Sequence, residues 1–288
     1  MEKITIFTPT YNRAYTLQKL YDSLCAQTSS DFVWLIVDDG SEDETKEIID
    51  LWIKENIIKI RYYFQENSGK SMAHNKGVEL TETELFTCVD SDDSLCADAV
   101  ASILEVWENS NKQYTGVLCL KKNVCAEANE IYKVADGVKS CTLRKAYSQY
   151  GLRGDAMLVY KTEIIGKYRF PRFPGEKFVP EAYLYDLIDR DGELLVLNKE
   201  LYLYEYLSDG YTANMASLLK RNPQGYLAYI IQRLEMDRSF TDRAKDSIRY
   251  LAMAKVAGNK RMIKNAVYPL IAFLVYPLGI LFYHIRYR

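Results

Sequence analysis

Histidine is scarce in this 288-residue chain. Only His74 and His284 occur, which all but excludes a histidine-rich zinc site and leaves oxygen-ligated Mg or Mn as the metals to consider. The six cysteines (Cys25, Cys88, Cys96, Cys119, Cys125, Cys141) include no Cys-x-x-Cys pair, and Met1 leads directly into a strand-like run without a signal peptide, so buried thiols in a reducing cytosol are expected. Acidic residues are missing after Asp246. From Ser247 onward there are seven Lys or Arg and no Asp or Glu, while the rest of the chain holds 30 basic against 39 acidic residues. A basic tail on an acidic body points to an anionic partner at the C-terminus, and the body offers no basic surface for nucleic acid. With 48% apolar residues the chain can bury a sizeable core, and with so little histidine its chemistry falls to carboxylates.

The first 120 residues alternate short apolar runs with helical periodicity, the pattern of β-α units and a mostly parallel sheet, so the fold class is α/β. Strands are expected at 4–8, 32–37, 58–64, 85–89 and 116–120. Leu17, Leu20, Tyr21 and Leu24 follow i, i+3, i+4, i+7 spacing and predict a helix between the first two. Ser41 with Glu44 fits a capping box, which would leave Asp38, Asp39 and Gly40 in the turn before a second helix. A loop at 67–70 precedes a helix from about Ser71, where His74 reads as a surface or capping residue. From 122 to 151 the pattern is weak, apart from an expected strand near 131–134. A second patterned block covers 156–161, a Pro-rich turn 171–174 and a helix near Pro180. The stretch 194–207 reads as two short strands, with helices beyond. Tyr202, Tyr204 and Tyr206 share one face of a strand by their period of two, with acceptor stacking as the other reading.

Asp90-Ser91-Asp92-Asp93 puts three carboxylates within four residues after a buried strand, which is costly without compensation. A divalent metal would supply it; an acidic helix start is the competing reading. A calcium loop fails on spacing, because Leu95 takes the sixth position where Gly is needed and Ala101 the twelfth where Glu is needed. Asp38 and Asp39 stand where an open α/β sheet binds ligands and suit a base N–H or ribose hydroxyls, while Lys70 and its loop amides suit phosphate.

Four motifs in order, Thr8-Pro9-Thr10-Tyr11-Asn12-Arg13, Val37-Asp38-Asp39-Gly40-Ser41, the stretch with Asn67, Gly69, Lys70, Ala73, Asn75 and Gly77, and Asp90-Ser91-Asp92-Asp93, make the chain resemble the family 2 glycosyltransferases. The resemblance implies the GT-A fold, a Rossmann-like nucleotide-binding sheet flanked by helices, here followed by a helical C-terminal extension. It implies that Thr8 and Pro9 line the nucleobase pocket, Asp39 recognises the base, Asp90 lies near the ribose, and Asp92 holds Mn or Mg on the diphosphate. Tyr11, Arg13, Asp38, Asn67, Gly69, Lys70, Asn75 and Ser91 complete the donor-binding set. The catalytic base is expected at the start of a later helix, where this chain has Glu181, with Glu176 as alternative. A metal-contacting His found in some members is lacking in 208–212. Together these imply an inverting enzyme using a nucleotide-sugar donor, UDP by the family's habit; joined to the apolar, basic tail, they suggest by analogy a glycan or lipid-linked acceptor of cell-surface polysaccharide synthesis. Its expected organisation is a catalytic domain over 1–212 (nucleotide-sugar half 1–121, acceptor half 122–212), a helical extension over 213–262 and a membrane-associating segment over 263–288.

Within that segment 266–283 carries no charge and basic residues flank it on both sides. A span, an embedded hairpin, an interfacial anchor and a buried core helix all remain open. Membrane contact through 260–288 would place the chain at the cytoplasmic side of the cell membrane. Two rivals stand beside the transferase. A nucleotidyltransferase would ordinarily show a Gly-rich basic first loop, and 8–13 has no Gly. A non-catalytic nucleotide-sugar-binding scaffold would hold nucleotide without releasing sugar.

Overall fold

The computed structural model of the chain describes residues 2–125, 133–205, 214–236 and 238–288. They divide into two compact units, Met1–Arg169 with Leu184–Glu205, and Phe170–Tyr183 with Tyr206–Arg288.

The first unit opens with β1 (Ile4–Thr10), α1 (Ala14–Cys25), β2 (Phe32–Asp38), α2 (Thr45–Glu55), β3 (Ile60–Phe64), α3 (Lys70–Leu80) and β4 (Leu85–Cys88). Every residue of β1 and β2 is buried, as expected of parallel strands covered on both faces. Ile4 and Ile6 of β1 join Trp34 and Ile36 of β2 in a core with Leu17, Leu20, Tyr21 and Leu24 of α1 and Ile49 and Trp52 of α2. Tyr21 and Trp52 stack there at 4.3 Å. Phe7 points the other way, onto Phe86 and the edge of His74 in α3. His74 is therefore a core residue rather than the surface or capping residue expected. Gly77 permits this approach, since a Cβ there would lie 2.4 Å from the Phe7 ring.

β5 (Ser94–Leu95), α4 (Ala99–Glu108), β6 (Gly116–Asn123), β7 (Ser140–Cys141), α5 (Leu143–Ser148), β8 (Ala156–Lys161), α6 (Thr162–Ile165), α7 (Ala182–Ile188, which begins in the other unit) and β9 (Leu194–Tyr204) follow. The described strands form one sheet in the order β3-β2-β1-β4-β8-β6-β9-β5, with β7 on β9. β1 to β4 are mutually parallel where they pair, and the second half mixes directions: β8 is antiparallel to β4 and β6, whereas β6 and β9 are parallel. Of the stretch expected as two strands, 194–204 is thus one strand, broken in register opposite Cys119 to Lys121, while 206–207 lie outside the described residues. Asn198 fills that irregularity, accepting the Val134 N–H at 3.0 Å and donating to the Val134 carbonyl at 2.7 Å. The strand expected near 131–134 lies partly outside the described residues, and 133–135 form none.

The second unit holds α8 (Met215–Arg221), α9 (Pro223–Glu235), α10 (Phe240–Val256), α11 (Pro269–Leu274) and α12 (Tyr276–Arg286). Leu227, Ile230 and Leu234 pack with Tyr250, Leu251 and Met253 in its core. Buried Asp246 is charge-compensated by Arg249 at 2.8 Å, Arg233 at 3.0 Å and Arg238 at 3.6 Å. Among the described residues no helix is long and apolar enough to cross a membrane. Within the uncharged run the helix breaks at Val275, and Pro269 and Pro277 each fall in a helix's first turn.

Candidate donor and metal site

Parallel register brings the expected motifs together. Thr10 at the end of β1 lies beside Asp38 at the end of β2, Asp38 lies beside Phe64 of β3, and Phe7 lies beside Cys88 of β4. The loops after all four strands therefore leave one edge of the sheet, the carboxyl edge where open α/β sheets hold ligands.

Asn12 and Asp43 join the first two loops. Asn12, in the left-handed region at φ 51°, donates its N–H to Ser41 Oγ at 2.9 Å and accepts the Glu42 N–H at 2.8 Å. Asp43 accepts the Ala14 N–H at 3.0 Å and the Thr45 hydroxyl at 2.6 Å, tying the first turns of α1 and α2. This corrects the expected capping box: α2 starts at Thr45, Ser41 lies in the preceding turn, and Asp43 supplies the helix-start acceptor. Burial alone would raise the Asp43 pKa, but the bonds from Thr45 and Ala14 outweigh it and hold the carboxyl below its ordinary value.

Asp38 and Asp39 are both buried and both engaged. Asp38 accepts the Ser41 N–H and the Tyr62 hydroxyl, each at 2.8 Å. Asp39 accepts the Gln65 amide at 2.6 Å and the backbone N–H groups of Ser68 at 2.9 Å and Gly69 at 2.7 Å. A carboxylate has about four acceptor positions, and three of those on Asp39 shape the 65–69 loop. Gly40 stands at φ 88°, where a Cβ would meet the Asn67 nitrogen at 2.8 Å, so the two loops touch through a residue that must lack a side chain. Thr8 is fully buried, with its hydroxyl accepting the Trp34 indole N–H at 2.9 Å, and Pro9 is buried too. Both thus lie inside the sheet; the exposed side chain of this strand end is Tyr11, followed by half-buried Arg13, which donates to Tyr15.

Beyond β4 the acidic cluster meets two lysines. Lys70, the first residue of α3, pairs with Asp90 Oδ1 at 2.6 Å. Burial opposes the Asp90 charge, but Lys70 and Lys121 outweigh it and hold the group below its usual range. Asp92 is pushed up by burial and by the Asp90 charge. Asp93 is pushed up to about 7, by burial first and then by its two acidic neighbours, against a 2.6 Å hydrogen bond from the Tyr202 hydroxyl. That hydroxyl also accepts the Asp90 N–H at 3.0 Å, and the Lys121 ammonium lies 3.8 Å over the Tyr202 ring. Tyr202 is fully buried in β9, and Ser91 is buried beside the cluster. Asn67 is half-buried on the loop before Lys70, Asn75 is half-buried on the helix that Lys70 begins, and Gly69 precedes that helix at φ 91°.

Among the described residues no group of three His, Cys, Asp or Glu converges as a metal cage. The donor chemistry fits a more limited role. Asp90 is matched by Lys70, whereas Asp92 and Asp93 both carry charges disfavoured by their surroundings, Asp93 despite its bond from Tyr202, and an oxygen-preferring cation beside them would relieve that cost.

The other two carboxylates lie in the second unit. Glu176 accepts the backbone N–H groups of Gln224 and Gly225, both at 2.9 Å, and so caps the first turn of α9. Glu181 is half-buried immediately before Ala182, the first residue of α7, so the helix begins two residues after Pro180, near which its start was expected. Residues 208–212 lie outside the described residues.

Tyr202, Lys121, Asn12 and Asp43 were not among the expected site residues. Asn12 and Asp43 sit in or beside motifs, but the contacts of Tyr202 with Asp90 and Asp93 cross 112 and 109 residues, and a tyrosine on a strand carries no local sign of its partner.

A model of glycosyl transferase family 2 matches residues 5–156, more than half of the chain. The chain belongs to glycosyl transferase family 2. A relative in this family's company is the GalNAc(5)-diNAcBac-PP-undecaprenol beta-1,3-glucosyltransferase of Campylobacter jejuni, 26% identical over 280 residues, which cover 93% of this chain and 78% of that protein. Several further bacterial relatives match over only 102 to 112 residues, and this chain spans about one sixth of their length. Among solved structures, S. aureus TarS in complex with UDP-GlcNAc is similar at 17% identity, with 97% of this chain and 79% of that one covered and a TM-score of 0.63. The mannosyltransferase PcManGT from Pyrobaculum calidifontis, in complex with GDP-Man and Mn2+, is similar at 16% identity, with 98% and 81% covered and a TM-score of 0.58. At these identities the two structures speak for the fold, and the α/β GT-A arrangement with its helical C-terminal region stands.

Proposed function

We propose that this glycosyltransferase transfers a sugar, with inversion, from a uridine diphosphate sugar to a hydroxyl of a glycan or lipid-linked acceptor in cell-surface polysaccharide synthesis. The observation that carries the reading is the meeting of the Asp39-organised loop, Lys70 and the Asp90–Asp93 cluster at one carboxyl edge of the sheet. There the last acceptor position of Asp39 would take a base N–H, and Asp90 would take ribose hydroxyls. Lys70, Arg13 and the amides leading into α3 would face the phosphates, with Tyr11, Asp38, Asn67, Gly69, Asn75 and Ser91 shaping the pocket. The UDP assignment draws on the ligand of S. aureus TarS, and the lipid-linked acceptor on the name of the Campylobacter jejuni relative.

Glu181 is the base in this reading: it takes the acceptor's proton while the hydroxyl oxygen bonds to the anomeric carbon and the carbon–oxygen bond to the diphosphate breaks on the opposite face. Glu176 is set aside because both of its oxygens cap α9. A bound Mg or Mn, held through Asp92, would neutralise charge on the departing diphosphate. We assign catalysis to 1–212, support to the helices of 213–262 and contact with the cytoplasmic side of the cell membrane to the segment 263–288 with its basic flank from 260.

The test is calorimetric. UDP should bind the wild type more tightly with Mn or Mg than with chelator, and Asp92→Ala should lose that difference. Equal metal dependence in the variant would remove Asp92 from the metal site, and absence of UDP binding by the wild type would refute the donor assignment.

A further inference from the structure

The helices α11 and α12 present to their surroundings the face that a helix in water normally hides. Their inner side is closed: Ala272 and Tyr287 are buried in the core of the second unit, and Gly279 meets α10 so closely that a Cβ would lie 2.7 Å from Leu251 Cβ. On the outer side Leu270, Phe273, Leu274, Leu278, Leu281 and Ile285 are 54% to 75% exposed. Leu270, Phe273 and Leu274 recur at i, i+3, i+4 on α11, and Leu278, Leu281 and Ile285 at i, i+3, i+7 on α12, spacings that put each set on one side of its helix. An exposed helix face is ordinarily charged, and a contiguous apolar one marks a surface that meets something.

Charge chooses the occupant. Lys260, Arg261 and Lys264 before the pair and Arg286 and Arg288 after it are all exposed, and no acidic residue occurs after Asp246 to offset them. A second copy docking by a two-fold axis would set these cations against their own images, which is repulsive. An anionic lipid surface matches an apolar centre with cationic ends. Length chooses the orientation. The 11 residues of α12 rise about 16 Å, roughly half of a ~30 Å hydrocarbon core, and a span would also strand one set of cations on the far side.

We propose that α11 and α12 lie in the plane of an anionic bilayer, with the six apolar side chains among the acyl chains and the flanking Lys and Arg on headgroup phosphates. The proposal gives an orientation and a lipid preference to the membrane contact assigned above, and it is independent of the sugar chemistry.

The 288-residue chain is floated with vesicles of phosphatidylcholine alone and of equal parts phosphatidylcholine and phosphatidylglycerol. Binding to the anionic vesicles is expected, weakened by salt. The triple variant Lys260→Gln, Arg261→Gln, Lys264→Gln should bind them on the order of 100-fold more weakly, each cation being worth about a factor of five to ten near such a surface. Leu278→Glu with Leu281→Glu, at exposed positions, should abolish binding to both vesicle types while UDP affinity and melting temperature stay at wild-type values. Phe273→Trp should be quenched by lipids brominated near the headgroup rather than at the chain ends. Wild-type binding unchanged by the Glu pair, or deep quenching, would overturn the in-plane insertion. A dimer that the Glu pair dissociates, with no vesicle binding by the wild type, would assign the face to a second copy. Loss of UDP binding in the wild type would refute the donor reading and leave this one standing.

Discussion

Two carboxylates of the second unit differ in what holds them. Glu176 gives both oxygens to the first N–H groups of α9, so Glu176→Gln should weaken that cap and cost about 0.5–2 kcal/mol of stability, read by denaturant titration, with transfer near the wild-type rate. Glu181→Gln should lose about 100- to 10,000-fold in single-turnover transfer while keeping donor affinity within a few fold. A collapse of transfer for Glu176→Gln beside a normal rate for Glu181→Gln would reverse the assignment. Tyr202 offers a test that touches no expected ligand. Burial and the charges of Asp90 and Asp93 hold its pKa well above the ordinary phenol value, so the hydroxyl stays a donor. Tyr202→Phe keeps the ring under Lys121 but leaves Asp93 without its hydrogen and the Asp90 N–H without its acceptor. Stability should fall by about 1–3 kcal/mol, and metal-dependent UDP affinity on the order of tenfold. Wild-type affinity in the variant would show that the loop keeps its shape without the tyrosine.

At the scale of elements, the Asp43 link between α1 and α2 predicts acid behaviour. Its folded pKa lies below the unfolded one, so its contribution is complete above about pH 4, the unfolded value, and is lost as pH falls through the lower folded value. Melting temperatures of wild type and Asp43→Ala should therefore differ at neutral pH and converge in that acid window; a constant gap down to pH 2 would contradict the linkage, that pH being roughly where most paired carboxylates have protonated. Elements were legible where one local signal decided them. β1 and β2 are apolar runs flanked by turn residues, and their motifs sit at strand ends, so convergence at one edge followed from parallel pairing alone. The helix start at Thr45 is ambiguous in the sequence because Ser41 and Asp43 are both good caps, and only the geometry of Asn12 shows that Ser41 is already engaged. His74 looked like a surface residue because polarity says nothing about the Phe7 and Phe86 rings that enclose it. β9 read as two strands because its register break interrupts the alternation, although the backbone continues.

Over the whole molecule, β9 enters the sheet between β6 and β5, two strands laid down much earlier in the chain. A polypeptide growing from its N-terminus has every motif of the proposed donor site by residue 93, yet β5, which anchors the end of the acidic loop, gains its partners Tyr202 and Leu203 only after about a hundred more residues. Contacts of such sequence separation form late, and until then the open side of β6 is an unpaired edge able to recruit another chain. A chain shortened to residues 1–168 should accordingly fail to bind UDP and should aggregate, and adding residues 184–205 as a separate peptide should not restore what covalent continuity provides; soluble, UDP-binding 1–168 would refute this. On the ribosome, the interval between synthesis of β6 and of β9 is then the period in which this protein most needs a chaperone.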